Sequence, residues 1–252
     1  MKTQGNTILI TGGGSGIGAA LASAFHSAGN QVVIAGRRTA ALADVARAHP
    51  GMATMPLDIE DPAAVRAFAA KLLAAVPALD VVVHNAGIMR PEDLQAGAAH
   101  LADAEAMVAT NLLGPMRLTA ALLPHLLRRP RAAIVTVTSG LAFVPLAGYP
   151  AYCATKAGLH SWTESLRWQL RGTRVEVIEA PPPYVQTGLI GDHQETDPRA
   201  MPLPEYIAET MRLLAQEPTP PEILVERVKP LRAAPKADYD GFFRSFNEAM
   251  SS

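Results

Sequence analysis

The chain has 252 residues, a formal net charge of −1 and 49% hydrophobic residues, enough for a sizeable core and too little charge to favour nucleic acid or an anionic membrane. Cys153 is the only cysteine, which excludes an internal disulfide, and the seven histidines show no ligand spacing that points to a metal. The opening MKTQGN lacks a signal-peptide apolar region and runs such as LTAALLPHLL are too short to span a bilayer, so a cytoplasmic protein is expected.

The first predicted element is TILIT, a β-branched run that leads through glycines into the Ala- and Leu-rich stretch GIGAALASAF. It reads as strand, turn, helix. Gly12, Gly16 and Gly18, with Gly14, Ser15 and Ile17 between them, form a turn in which a pyrophosphate can approach the N-terminus of the following helix. The second strand, QVVIAGRR, ends in Gly36, Arg37 and Arg38 without an acid. An acid there suits a ribose 2′-hydroxyl and an arginine suits a 2′-phosphate, so NADP(H) is expected over NAD(H), with Arg37 as the main phosphate contact. The competing reading leaves both arginines as a solvated helix entry.

Asp58 and Ile59 follow the apolar run MATMPL. The Asp58 carboxylate suits either an adenine amino group or a cap on the helix that Pro62 opens. After LDVVV comes His84-Asn85-Ala86-Gly87, a strand end whose backbone is expected against the adenosine. Asn111 lies in the helical run MVATNLLGP, and Ser139 ends the apolar run AAIVTVTS.

Tyr152 and Lys156 stand four apart in YPAYCATKAG, which places them on one helix face. Pro150 fits the first helical turn and leaves Tyr149 outside it. A free phenol titrates near pH 10. A unit charge at about 4 Å and an effective dielectric of about 20 favours the phenolate by roughly 4 kcal/mol, so Lys156 is expected to bring Tyr152 near 7. Leu141, Phe143, Val144 and Pro145 supply an apolar substrate wall, joined by Met89 and Tyr184. The Pro-punctuated stretch 188–204 reads as a lid loop in which His193 and Arg199 are either substrate contacts or solvated.

In this order, TGGGSGIG, HNAG, Asn111, Ser139 and YCATK resemble the short-chain dehydrogenase/reductase family, over roughly Thr7 to Thr187. The resemblance implies a three-layer, doubly wound Rossmann fold with a parallel sheet of about seven strands, in the order 3-2-1-4-5-6-7. Apolar runs near Thr7, Gln31, Met52, Leu79, Ala132, Arg174 and Glu222 supply them, and a single domain over 1–252 is expected because no linker divides the chain. It also implies an NADP(H)-dependent oxidoreductase acting on a carbonyl or secondary alcohol. Tyr152 would be the general acid/base and Ser139 would hold the substrate oxygen. Lys156 would bind the nicotinamide ribose, and Asn111 would hold a water linking Lys156 to solvent. In EAPPPYVQTGL, which resembles the segment after the sixth strand, Pro182, Val185 and Thr187 would meet the nicotinamide. His84 stands where the family usually has asparagine. The tail from 222 to 252 resembles the oxidoreductase group named after the DltE protein. Family members commonly pair the helices expected at Leu101–Leu127 and Tyr152–Arg171 across a two-fold axis, which implies a homodimer or homotetramer. The readings left beside this one are a non-catalytic NADP(H)-binding sensor or scaffold, and a dehydratase or epimerase.

Overall fold

Strands that are apolar on both faces are stable only between two layers, and the β-branched runs of this chain are of that kind. The computed structural model describes residues 1–234 and 238–250. It contains strands β1 (Thr7–Thr11), β2 (Gln31–Gly36), β3 (Ala53–Pro56), β4 (Val81–His84), β5 (Ala132–Val137) and β6 (Val175–Ala180). They form one six-stranded sheet in the order β3-β2-β1-β4-β5-β6, parallel throughout. The helices are α1 (Gly16–Ser27), α2 (Thr39–Arg47), α3 (Pro62–Ala75), α4 (Leu101–Val108), α5 (Gly114–Leu126), α6 (Pro150–Leu170), α7 (His193–Thr196), α8 (Leu203–Leu214), α9 (Lys229–Ala233) and α10 (Tyr239–Met250).

Successive side chains of a strand leave by opposite faces, and the two cores follow from that alternation. Ile8 and Ile10 of β1 join Leu21 and Phe25 of α1 and Tyr206 and Leu214 of α8 on one side. Leu9, between them, joins Phe68 and Leu72 of α3, Leu118 and Leu122 of α5, and Leu166 of α6 on the other. The result is the expected three-layer Rossmann architecture.

The strand count is corrected from about seven to six. The segment near Glu222 reaches the expected edge beside β6, but it makes only an isolated parallel bridge, Glu179 to Glu222. Its contacts are Glu179 N to Pro221 O at 2.9 Å and Ile223 N to Glu179 O at 2.7 Å. Pro220 and Pro221 have no N–H, so the ladder cannot extend backward from the bridge.

A π-helical turn over Ala109–Leu113 joins α4 to α5. The helical run Leu94–Leu126 is, by length and composition, apolar enough to cross a bilayer, longer than the apolar stretches read from sequence. It is a core helix here, with Met107, Leu118, Leu122 and Leu126 fully buried.

Candidate active site

The carboxyl ends of β1, β4, β5 and β6 open onto one cleft of about 1010 Å³, beside the point where the strand order reverses around β1. Open α/β sheets bind ligands at such switch points. The end of β1 is tied to that of β4 by Thr11, whose hydroxyl accepts from the amides of Asn85 at 3.0 Å and Ala86 at 3.1 Å. Asn85 answers by donating its side-chain amide to the carbonyls of Thr11 and Gly12, at 3.0 and 3.3 Å. The sequence shows Thr11 only as the start of the glycine turn, because the partners in this tie lie over seventy residues away.

Gly12 and Gly16 have φ of 68° and 53°, a left-handed backbone that glycine adopts without a Cβ clash. Gly18 is bare for another reason. A Cβ there would lie 2.3 Å from the Gly12 carbonyl oxygen, so it permits close packing of α1 rather than contact with a ligand. Gly12, Gly14, Ser15, Gly16 and Ile17 line the cleft and Gly18 does not. Ser15 stands at the N-cap of α1, yet its hydroxyl makes no cap bond and instead accepts from Arg38 Nη2 at 2.7 Å. The first amides of α1 therefore keep their capacity to hold an anion. A dinucleotide pyrophosphate fits this cradle.

Arg37 and Arg38 both line the cleft. The absence of a nearby acid, inferred from the sequence, does not hold in space, because Arg37 Nη1 meets Glu60 Oε1 at 2.8 Å. That pair is 51% and 29% exposed, and such pairs are worth about 0–1 kcal/mol, so a stronger anion can displace Glu60. Leu57 and Ile59 line the cleft, whereas Asp58 between them is exposed and does not. Nor is Asp58 the helix cap. Asp61 caps α3 by accepting from Ala63 N at 2.7 Å, and Asp58 accepts only from Glu60 N at 3.1 Å. Asn85, Ala86 and Gly87 line the cleft. His84 keeps its place in the sheet opposite Thr136; its buried ring bonds Thr119 Oγ1 at 2.7 Å, and burial lowers its pKa to about 4.

Beyond β5 the chain stays extended through Thr138 to Ser139, whose hydroxyl accepts from Leu141 N at 3.1 Å. Helix α6 starts at Pro150 with Tyr149 outside it, as expected. Tyr152 and Lys156 both line the cleft with Ser139. Lys156 is buried and donates to Val137 O at 2.9 Å, with Nζ 5.6 Å from the centre of the Tyr152 ring. The expectation that Lys156 brings Tyr152 near 7 is overturned. Burial holds the phenol above its usual range, against a smaller lowering by hydrogen bonding to Ser139, and burial lowers the Lys156 ammonium to about 8. Desolvation wins because both groups are buried and the ammonium is turned to a carbonyl. The phenol is a proton donor at neutral pH.

Asn111, fully buried in the π-helical turn, donates to Ile88 O at 2.9 Å and Thr155 Oγ1 at 3.2 Å and accepts from Ile88 N at 2.9 Å. Both amide hydrogens are committed, and the side chain clamps the segment after Gly87. A Cβ on Gly87 would lie 3.3 Å from Asn111 Oδ1 and 3.7 Å from Lys156 Nζ.

Pro182, Val185 and Thr187 line the cleft opposite the glycine turn; Pro182 O accepts from Gly140 N at 2.8 Å, and Gln194 Nε2 donates to Val185 O at 2.7 Å. Of the proposed substrate wall, Leu141, Met89 and Tyr184 line the cleft, and Phe143, Val144 and Pro145 do not. The Phe143 ring turns away to pack edge-on against His160 at 5.0 Å. Tyr184 donates to Asp197 Oδ2 at 3.1 Å, and burial with that carboxylate raises its phenol to about 12. Arg199 is engaged by Asp197, and His193 is exposed outside the cleft. Leu231 and Phe246 close the cleft from the C-terminal segment. Their apolar periodicity was readable in the sequence, but not where the segment docks. Cys153 is a packed residue, its thiol accepting from Leu146 N at 3.3 Å and raised by burial to about 11.

The Lys156 value has a thermodynamic consequence. Folded Lys156 gives up its proton near pH 8, whereas the unfolded side chain holds it to about 10.4. The unfolded state then binds more protons between those values, so stability rises with pH there. Lys156→Met removes the buried charge. Its melting temperature is expected to exceed that of the wild type at pH 7, by a gap that narrows toward about pH 10; a gap constant with pH in calorimetry would contradict it.

A family model for short chain dehydrogenases matches residues 6–198. The chain is 44% identical over 250 residues to the uncharacterized oxidoreductase DltE of Bacillus subtilis, covering 98% of each chain. It is 30% identical over 225 residues to the NADP-dependent 3-hydroxy acid dehydrogenase of Schizosaccharomyces pombe, covering 83% of this chain and 86% of that one. A solved short-chain dehydrogenase from Streptomyces avermitilis superposes with a TM-score of 0.81 at 26% identity over 98% of both chains. The glycine cradle, the serine, the tyrosine and the lysine thus stand in a chain that belongs to the short-chain dehydrogenase family of oxidoreductases.

Proposed function

We propose that the protein is an NADP(H)-dependent oxidoreductase that interconverts a carbonyl compound and a secondary alcohol, acting as one Rossmann-fold domain in the cytoplasm. The observation that carries this reading is the convergence of Ser139, Tyr152 and Lys156 with the glycine turn on one cleft. A pure NADP(H) sensor has no use for a buried acid beside the ligand's reactive end.

The glycine turn and the N-terminus of α1 would hold the pyrophosphate, Arg37 and Arg38 the 2′-phosphate, and Asn85 to Gly87 the adenosine side. Pro182, Val185 and Thr187 would orient the nicotinamide end. Nicotinamide supplies or accepts the hydride. In reduction, Ser139 would hold the carbonyl oxygen and Tyr152 would give that oxygen its proton; in oxidation Tyr152 would take the proton back from the alcohol. Lys156 would hold the ribose and present positive charge to the developing phenolate. Asn111 keeps the Ile88 segment in place beside them. Leu141, Met89, Tyr184, Leu231 and Phe246 favour a substrate with an apolar side. The NADP dependence of the fission yeast relative and the paired arginines support the choice of cofactor.

Tyr152→Phe is expected to lower kcat for ketone reduction by about 10²–10⁴-fold while NADPH still quenches protein fluorescence at wild-type concentrations; full activity in the variant would dismiss the mechanism. Arg37→Asp is expected to weaken NADPH binding at least tenfold, about 1.4 kcal/mol, and to leave NADH binding unchanged. Equal losses for both cofactors in titration would remove the 2′-phosphate role. Leu127 and Trp168, 44% and 67% exposed beside α5 and on α6, support pairing of copies through these helices. Light scattering should therefore return a dimer or tetramer, and a monomer at micromolar concentration would refute it.

A further inference from the structure

Next to Thr138, which lines the cleft, is a partly buried cluster of titratable side chains that the mechanism above does not use. Glu179 of β6 is fully buried. Its Oε1 accepts from Thr138 Oγ1 at 2.7 Å, and its two carboxylate oxygens face His160 Nδ1 at 3.0 and 2.8 Å. Thr138 is the residue before Ser139. His160 lies one helical turn beyond Lys156, which lies one turn beyond Tyr152, so all three project from the same face of α6. One carboxylate therefore joins the strand end that carries the serine to the helix that carries the tyrosine and lysine.

From the resemblance of Lys156, Tyr152 and Ser139 to an active set, and resting on the oxidoreductase reading, we infer that Glu179, held by His160, is a positioning residue that fixes Ser139 against Tyr152 through the Thr138 hydroxyl. Ser139 and Tyr152 belong to different elements, so their spacing depends on what ties β5 to α6. Two direct ties are Thr136 Oγ1 to Thr163 Oγ1 at 3.0 Å and Lys156 Nζ to Val137 O at 2.9 Å; the path from Thr138 through Glu179 to His160 is a third, and it is the one nearest the serine. The backbone adds Thr138 N to Ala180 O at 3.2 Å. Catalytic groups need placement to about 0.5 Å, and a 1 Å error costs about a hundredfold in rate.

Stability alone does not account for the cluster. A buried ion pair is commonly no more stabilising than apolar residues of the same volume, and here the burial of a carboxylate has to be offset by an imidazole, a hydroxyl and more remote charge. His160 is drawn toward its protonated form first by its hydrogen bond to Glu179, with further attraction from Glu164 on α6 and Glu222 on the edge segment. Arg232 of α9 meets both oxygens of Glu222 at 3.0 to 3.2 Å and stacks over Phe143 at 4.8 Å. His160, Glu179 and Glu222 lie within 4.8 Å of one another, but each is already partnered by protein groups, so the cluster reads as a closed internal brace and not as a cation site.

The test uses Thr138→Val, which keeps the shape and removes the hydroxyl, with Thr138→Ser, Glu179→Gln and the Thr138→Val/Glu179→Gln double variant. Steady-state ketone reduction at saturating NADPH gives kcat and KM, and each enzyme is crystallised with NADPH. Thr138→Val and Glu179→Gln should each lose at least about tenfold in kcat, with KM and NADPH affinity held within about threefold. Thr138→Ser should recover most of the loss, and the double variant should be no worse than the poorer single, because both act on one path. In the crystals Ser139 Oγ should move by about 0.5 Å or more from its wild-type place beside Tyr152. Wild-type kcat in Thr138→Val, additive losses in the double variant, or an unmoved Ser139 would each overturn the inference. If the wild-type enzyme reduces no carbonyl, the oxidoreductase reading falls, and the crystal positions of Ser139 alone decide whether Glu179 places it.

Discussion

Lys156 holds its ammonium in a buried position at the cleft wall, with a backbone carbonyl of β5 as its hydrogen-bond partner. Burying a cation is costly, and much of the surrounding arrangement follows from that. The lysine is fixed to the strand end, which fixes α6 against β5. Its lowered affinity for protons and the raised phenol of Tyr152 arise from the same burial. The pair thus starts as a neutral acid beside a cation whose hold on its proton is weakened by burial. Negative charge developing on the phenol during proton transfer would strengthen the lysine's hold on its own proton, so the two titrations are coupled.

The opposite end of the cleft works with weak, replaceable contacts. Arg37 rests on Glu60 and Arg38 on Ser15. Both arginines are kept near the glycine turn by exposed, weak partners, and a charge-assisted bidentate bond to a dianion is in general stronger than a half-exposed ion pair. The cleft therefore combines a rigid chemical end with an adaptable anchoring end.

Much of this was legible in the chain because the signals are local. Strand, glycine turn and helix occur within the first thirty residues, and Tyr152 and Lys156 are adjacent on any helix that contains them. What the sequence could not disclose depended on distant neighbours. Glu60 reaches Arg37 across β2 and β3, Phe143 turns toward His160 instead of the cleft, and Asp61 caps α3 where Asp58 also fitted the pattern. The phenol lies outside what a pairwise charge argument captures, because burial acts on both partners at once. The seventh strand was misjudged because apolar content signalled an edge position, while the consecutive prolines limited it to a single bridge.

The π-helical turn at Ala109–Leu113 gives the long helix a change of face. An α-helix advances about 100° per residue, so one extra residue in a turn rotates everything after it by that amount relative to everything before it. Ahead of the turn, Met107 packs with Tyr152 and Cys153 of α6; after it, Leu118, Leu122 and Leu126 face the sheet with α3. Asn111 lies inside the insertion, where its amide can leave the regular ladder of side chains and reach Ile88. A strictly α-helical path from Leu101 to Leu126 would satisfy the catalytic side or the sheet side, but a single continuous rod in that phase could not serve both.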